Sequence, residues 1–356
     1  MKSDMPSDTP SSSDGTAERP KRRPRYSGKN PRAFHQKYKE QAPERYAEDV
    51  AKVLASGKTP AGSHRPIMVR ETLAVLVPKA GDFVVDCTLG YGGHSRELLA
   101  AVQPGGRLLA LDMDPVELPK AEARLRALGF ADESLIVRRM NYAGLNGLLA
   151  LNTADAILAD LGLSSMQIDD PVRGFTFKTD APLDMRMNPQ RGLSAAELLA
   201  RTPAEEIARW LREFSDEPYA EQFAVAMKAA GRIEKTKALA ALLRRSYPRG
   251  GRRVSEEEIE TSVRRVFQAI RIAVNDELSA LDTFLRHLPS CLKPGGRAAI
   301  LTFHSGEDRR VKQAFKSGLR DGLYSAASDE VTIASPEERR ANPRSIPAKL
   351  RWAVRA

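Results

Sequence analysis

Asp86, Asp112 and Asp160 each close a short apolar run: FVVD, RLLALD and ADAILAD. Between the first two lies CTLGYGGHS, with Gly90, Gly92 and Gly93 inside four positions. Glycines let the chain turn tightly and let a ligand lie against bare backbone. Asp112 stands 22 positions after Gly90, where a carboxylate can accept hydrogen bonds from ribose hydroxyls. The pattern predicts a ribose-bearing ligand. It fits a dinucleotide only in part, because the third glycine of G-x-G-x-x-G falls on Ser95. Asp86, just before the turn, would repel a pyrophosphate and attract a cation. S-adenosylmethionine (SAM), with a sulfonium and an ammonium group, suits such a site better than NAD.

These residues need a scaffold that brings strand ends together. From about Met68 helix-like and strand-like segments alternate: RETLAVL, GDFVVDC, SRELLAAV, GRLLALD, PVELPKAEARLRALG, SLIVRRM and ADAILADLG. This alternation predicts an α/β fold with a parallel sheet and right-handed crossovers. Ligands of such sheets sit outside the carboxyl ends of the strands, so the three acids are expected to converge on one crevice. Tyr142, just beyond the third strand, either stacks there on a purine or packs in the core. Gly162, Ser164, Ser165 and Gln167 follow Asp160.

The next comparable strand, RAAILTF after the turn KPGG, begins 137 positions beyond Asp160, whereas one crossover needs about 30. The excess has helical spacing. A helical subdomain is expected at residues 172–265, inserted between core segments 61–171 and 266–356. Residues 1–60, rich in Ser, Pro, Lys and Arg, read as a disordered basic tail.

Lys and Arg total 56 against 46 Asp and Glu, a net charge of +10, which fits a polyanionic partner. Basic residues gather in the tail around Tyr26, Phe34 and Tyr38, and again between Lys228 and Arg253. Each cluster is either a solvated face or a nucleic-acid contact. Cys87 and Cys291 are the two cysteines, which argues against a disulfide scaffold and for a reducing, cytoplasmic setting. No run approaches the roughly 18 apolar residues of a membrane span. The five histidines show no paired ligand spacing, so no metal is expected. A homodimer is left open.

Long ordered blocks carry a resemblance: HRPIMVRETL, DCTLGYGGHS, ALDMDP, DLGLSSMQIDDPVRGFTF, APLDMRMN, RRVFQAIRIAVNDEL, KPGGRAAILTFHSGEDRRVK and NPRSIPAKLR. From His64 to about Arg351 the chain resembles the bacterial ribosomal RNA small-subunit methyltransferase H family. That family methylates the exocyclic N4 amine of a cytosine in 16S ribosomal RNA, in the decoding region. The resemblance implies a Rossmann-like SAM-dependent methyltransferase sheet with an inserted helical subdomain. It implies cofactor contacts at Gly92, Gly93, His94, Asp112, Tyr142, Asp160 and Gln167, and the small ribosomal subunit as partner. Gly306 departs from the family's usual Leu, and Ile346-Pro347 from its usual Arg-Ser. The long basic tail is not a general family feature.

In-line methyl transfer to a delocalised amine requires that the amine be positioned and its N–H groups be met by acceptors. Asp160 is the candidate acceptor. Ser164 and Ser165 either contact base or cofactor, or cap a helix. Phe175 and Phe177 either hold the unstacked base or pack in the core. His304, at the end of the last strand, is expected near the target base. Attack at cytosine C5 would need a Cys nucleophile; neither Cys87 nor Cys291 is placed for it. A nicotinamide-dependent oxidoreductase and a non-catalytic RNA-binding assembly factor are the competing classes.

Overall fold

The computed structural model describes residues 66–247 and 254–356. The basic tail, with Tyr26, Phe34 and Tyr38, and the basic loop that includes Arg249, Arg252 and Arg253 lie outside the described residues.

The first half alternates as its pattern predicts. Helix α1 (Val69–Leu76) leads to β1 (Phe83–Asp86), α2 (Gly93–Ala101), β2 (Arg107–Asp112), α3 (Leu118–Arg126) and β3 (Leu135–Arg139). A short α4 (Leu145–Leu148) and β4 (Ala154–Asp160) follow. After a long helical excursion come β5 (Leu292–Thr302), α12 (Ser305–Arg320), β6 (Tyr324–Ala327), β7 (Thr332–Ile333), α13 (Pro336–Ala341) and β8 (Lys349–Arg355).

The sheet runs β3-β2-β1-β4-β5-β8-β6, with β7 paired to β8. Strands β1 to β5 are mutually parallel, and β8 enters antiparallel between β5 and β6. The inner strands read as apolar runs because both faces are covered. Val84, Leu108, Ala110 and Leu158 pack on one side. Their chain neighbours Val85, Leu109, Leu111 and Ile157 pack on the other, as the two-residue period of a strand requires. Chain order reverses between β1 and β4, which opens a crevice at their carboxyl ends.

The helical insert between β4 and β5 comprises α5 (Ser165–Asp169), α6 (Ala195–Arg201), α7 (Ala204–Ser215), α8 (Ala220–Ala229), α9 (Thr236–Arg245) and α10 (Glu256–Asn275). It has its own buried cluster running from Leu183 to Ile270, with Phe223 fully enclosed. Ser194 and Ser255 start α6 and α10 with capping boxes to Glu197 and Glu258. The expected boundary at 265/266 falls inside α10, which is continuous for 20 residues. One helix therefore serves both units: Val263 and Val266 fill the insert's core, and its last turn reaches the sheet's crevice.

Helix α11 (Glu277–Cys291) lays Leu281, Phe284 and Leu288 on the sheet. The expected KPGG turn is instead an irregularity within β5, where Ala154 pairs with Leu292 and Ala156 with Arg297. Among the described residues no helix is long and apolar enough to cross a membrane.

Candidate active site

A cavity of about 430 Å³ opens over the carboxyl ends of β1, β2 and β4. Gly93, His94, Asp112, Tyr142, Asp160, Ser164 and Gln167 line it; Asp86, Gly92 and His304 do not.

Asp86 does not face a ligand. It is 1% exposed. One oxygen accepts from the Thr88 amide and hydroxyl at 3.0 and 3.3 Å, the other from Ser95 Oγ at 2.6 Å. Burial pushes its carboxyl above the usual range. The expected attraction to a cation is thus replaced by a strut that fixes the glycine turn. Thr88 extends the strut, because its Oγ1 accepts the Asp160 amide at 2.7 Å.

Gly92 has φ 85 and caps α2. A Cβ there would come within 3.3 Å of Leu125, and one on Gly93 within 2.9 Å of Pro66. Both glycines answer to packing, and Gly93 also presents bare backbone to the cavity. Asp112 accepts the Gly90 amide at 2.8 Å on one oxygen and the Asp114 amide at 2.9 Å on the other. Each oxygen keeps a further lone pair for a ligand. Burial is the largest influence on this carboxyl and pushes it up to about 6.

His94 and Asp160 form a pair at 3.4 Å through Nδ1 and Oδ2. The other ring nitrogen, Nε2, lies 3.0 Å from the Ile67 carbonyl. A carbonyl and a carboxylate both accept, which favours a proton on each ring nitrogen. Burial opposes the resulting charge, but Asp160 outweighs it and the His94 pKa is raised. The second Asp160 oxygen, Oδ1, is buried and has no hydrogen-bond partner among the described residues. The Asp160 side chain is 26% exposed, and because Oδ1 is closed off, a ligand N–H reaches the carboxylate on its Oδ2 side.

Ser164 caps α5: its Oγ accepts the Gln167 amide at 3.2 Å, and Gln167 Oε1 accepts the Ser164 amide at 3.0 Å. Gln167 Nε2 donates to Asp114 at 2.7 Å. Tyr142 sets its ring edge-on against Phe284 at 5.3 Å and borders the cavity. Burial pushes its phenol above the usual range.

The expected placement of His304 changes, and the two alternatives for Phe175 and Phe177 resolve to packing. His304 caps α12, with Nδ1 accepting the Glu307 amide at 3.4 Å and Nε2 3.2 Å from the Glu307 carboxylate. It stays outside the cavity, and Glu307 lines the wall in its place. Phe175 and Phe177 pack against the insert's core, Phe177 edge-on to Phe267 at 5.1 Å. Gly306 is explained locally, because a Cβ there would stand 3.1 Å from His304 Nδ1. Of the Ile346-Pro347 departure, Ile346 is exposed and Pro347 borders the cavity.

Sequence reasoning missed four charged residues that this site uses. Arg173 pairs with Asp114 at 2.8 Å, both buried. Arg271 pairs with Glu277, and both line the cavity. The signal was present, since Arg271 and Asn275 are one helical turn apart and share a face. Polar residues at that spacing read equally well as a solvated face.

The MraW methylase family matches residues 61–356 of this sequence. The chain belongs to that family. Ribosomal RNA small subunit methyltransferase H 1 of Lachnoclostridium phytofermentans is 47% identical over 341 residues, covering 94% of this chain and 93% of its own. The protein of that name from Agathobacter rectalis is 45% identical over 341 residues, 94% of this chain and 98% of its own. A match over 94% of this methylase necessarily reaches into its first 60 residues, so part of the tail has a counterpart in these relatives. Ribosomal RNA small subunit methyltransferase H of Heliobacterium modesticaldum, 38% identical, covers 82% of this chain and 97% of its own.

Proposed function

We propose that this methylase transfers a methyl group from SAM to the exocyclic N4 amine of a cytidine in the decoding region of 16S ribosomal RNA, acting in the cytoplasm on the small ribosomal subunit. The observation that carries the reading is the Asp160 carboxylate, 26% exposed at the cavity wall and braced by His94. The family membership supports the methyl transfer, and the names of the relatives support the RNA.

The lining fits the cofactor. Asp112 offers acceptors to ribose hydroxyls, Tyr142 and Leu281 offer apolar surface to a purine, and the amide end of α2 at Gly93 and His94 suits a carboxylate. When bound, SAM supplies an electrophilic methyl on its sulfonium. Asp160 then orients the attacking amine and receives hydrogen bonds from its N–H groups. His94 holds Asp160 in place from the other side. Cys87 and Cys291 are buried, and burial pushes both thiols up. Cys87 borders the cavity but as a buried thiol whose ionisation burial opposes, and Cys291 lies outside the lining, which favours direct transfer to nitrogen.

Purified protein, labelled SAM and 30S subunits from cells lacking this gene test the proposal. Label in N4-methylcytidine, or in its 2′-O-methylated form, is expected after digestion. Label in 5-methylcytidine would overturn the target atom, and tight NAD binding without SAM binding would favour an oxidoreductase.

The Asp112 carboxyl gives a second check. An acid raised by burial disfavours its own charge, and ribose hydroxyls that donate to it restore the charge. SAM affinity is therefore expected to be full above about pH 7 and to fall as pH drops through about 6. At pH 5 the loss should be roughly tenfold. Calorimetric titration across that range reads it, and Asp112→Asn should flatten the profile as well as weaken binding. A profile that is level from pH 8 to 5 would remove Asp112 from the ribose site.

A further inference from the structure

Beyond Asp160 the cavity has a wall that the steps above leave unused, made by Met187, Arg271, Asn275, Phe303 and Glu307. These residues come from the loop before α6, the last turn of α10 and the turn into α12. Asn275 binds two of those segments together: its Oδ1 accepts the Met187 amide at 2.7 Å and its Nδ2 donates to the Met185 carbonyl at 2.8 Å. Glu307 accepts the Phe303 amide at 2.8 Å. The Phe303 ring lies 3.7 Å from where a Cβ on Gly162 would stand, two residues past Asp160. The wall therefore adjoins the turn that carries the proposed amine acceptor.

Two arginines border the cavity. Arg344 is committed to Asp169, with Nη2 2.9 Å from each carboxylate oxygen, and its side chain is 38% exposed. Arg271 is more enclosed, at 17%. Its Nε and Nη2 both donate to Glu277, at 2.8 Å each. That fork fixes the plane of the guanidinium. Nη1 makes no hydrogen bond among the described residues. Burial works against the Arg271 charge, but Glu277 and then Glu307 outweigh it. The result is a charged, oriented donor facing a cavity whose reactive acceptor is already assigned.

A cytosine that offers its N4 amine to Asp160 presents two acceptors along the same edge, the ring nitrogen N3 and O2. Adenine has a ring acceptor beside its amine but a C–H where O2 would be. Uracil has a donor at N3. We propose that Arg271, held by Glu277, reads this acceptor edge and makes the site selective for cytosine. The assignment rests on the proposed N4 reaction, and it names the group that would choose the base.

The test uses the full-length protein with S-adenosylhomocysteine and two free nucleosides, cytidine and 3-deazacytidine, with binding followed by NMR saturation transfer. The second probe lacks the N3 acceptor. Wild type should prefer cytidine about tenfold or more, the usual scale of one charge-assisted hydrogen bond. Arg271→Gln should abolish the preference. Because Gln leaves Glu277 uncompensated, Arg271→Lys is measured beside it. Lysine keeps the charge and the fold but lacks the fixed fork, and should also lose most of the preference. With 30S substrate, KM for SAM should hold while kcat falls. Wild type that binds both nucleosides equally, or variants that keep the preference, would overturn the assignment. A wild type that leaves no N4-methylcytidine in 30S subunits would overturn the reaction instead.

Discussion

Asp160→Asn is expected to lower the single-turnover rate at saturating SAM by about 10²- to 10⁴-fold, the range of a lost proton acceptor or charge at a reacting centre. The substitution keeps the shape of the side chain, and its amide oxygen can still accept from His94. The melting temperature should therefore stay within a few degrees of wild type. Asp160→Ala is a poorer probe, because it strands the His94 ring, 8% exposed, without its partner. Two readouts separate the roles open to Asp160. If it orients the target amine, the rate falls with SAM at saturation. If it only holds the cofactor's ammonium, the Kd for SAM rises and the saturated rate survives. A rate within tenfold of wild type at saturation would remove Asp160 from the chemical step. Rescue by raised pH would show the opposite, that proton removal from the amine had become limiting.

The scaffold of this site was legible because strands buried on two faces leave apolar runs, and the acids that end them stand out. Asp112 and Asp160 reach the cavity as their positions suggest. Asp86 ends its strand in the same way and does not. Sequence spacing locates a carboxylate at a strand end but cannot say which way it turns. Here Ser95, in the first turn of α2, claims it. His304 misleads for a related reason. Its position three residues before Glu307 is that of a helix cap, and that local bond outweighs its place on the catalytic edge of the sheet. Arg271 was hidden differently. A charge on a helix reads as solvated until the tertiary fold shows what covers it, and α10 is covered by a loop more than 80 residues earlier in the chain. The insert was inferred from an excess of length, but its boundary was placed inside a helix that fills the insert's core and lines the crevice with its last turn.

Arg173→Met should cost about 3–5 kcal/mol, the usual effect of breaking a buried ion pair from one side. The reason lies in what the guanidinium holds. Asp114 is 0% exposed and receives both Arg173 Nη1 at 2.8 Å and Gln167 Nε2 at 2.7 Å on Oδ2. On its other side Arg173 Nη2 donates to the carbonyls of Arg186 and Met187, at 3.1 and 2.8 Å. Removing it leaves one buried carboxylate short of charge compensation and two carbonyls short of a donor. For a chain of this size a loss of that scale lowers the melting temperature by roughly 4–8 °C. Asp114→Asn alone should also destabilise, because the arginine is then the uncompensated charge. The double variant Asp114→Asn/Arg173→Met should lose well less than the sum of the two single losses, since neither charge remains buried alone. The same bonds join the cofactor side of the cavity, through Asp114 and Gln167, to Met187 on the wall beside Asn275. Any Arg173 variant that still folds should therefore weaken SAM binding and RNA methylation together, although it is expected to touch neither substrate. Thermal melts on the two single variants and the double variant, with SAM calorimetry on each, decide it. Strictly additive melting shifts would mean that Arg173 and Asp114 act independently, and unchanged SAM affinity in Arg173→Met would mean that the clamp ends at the insert.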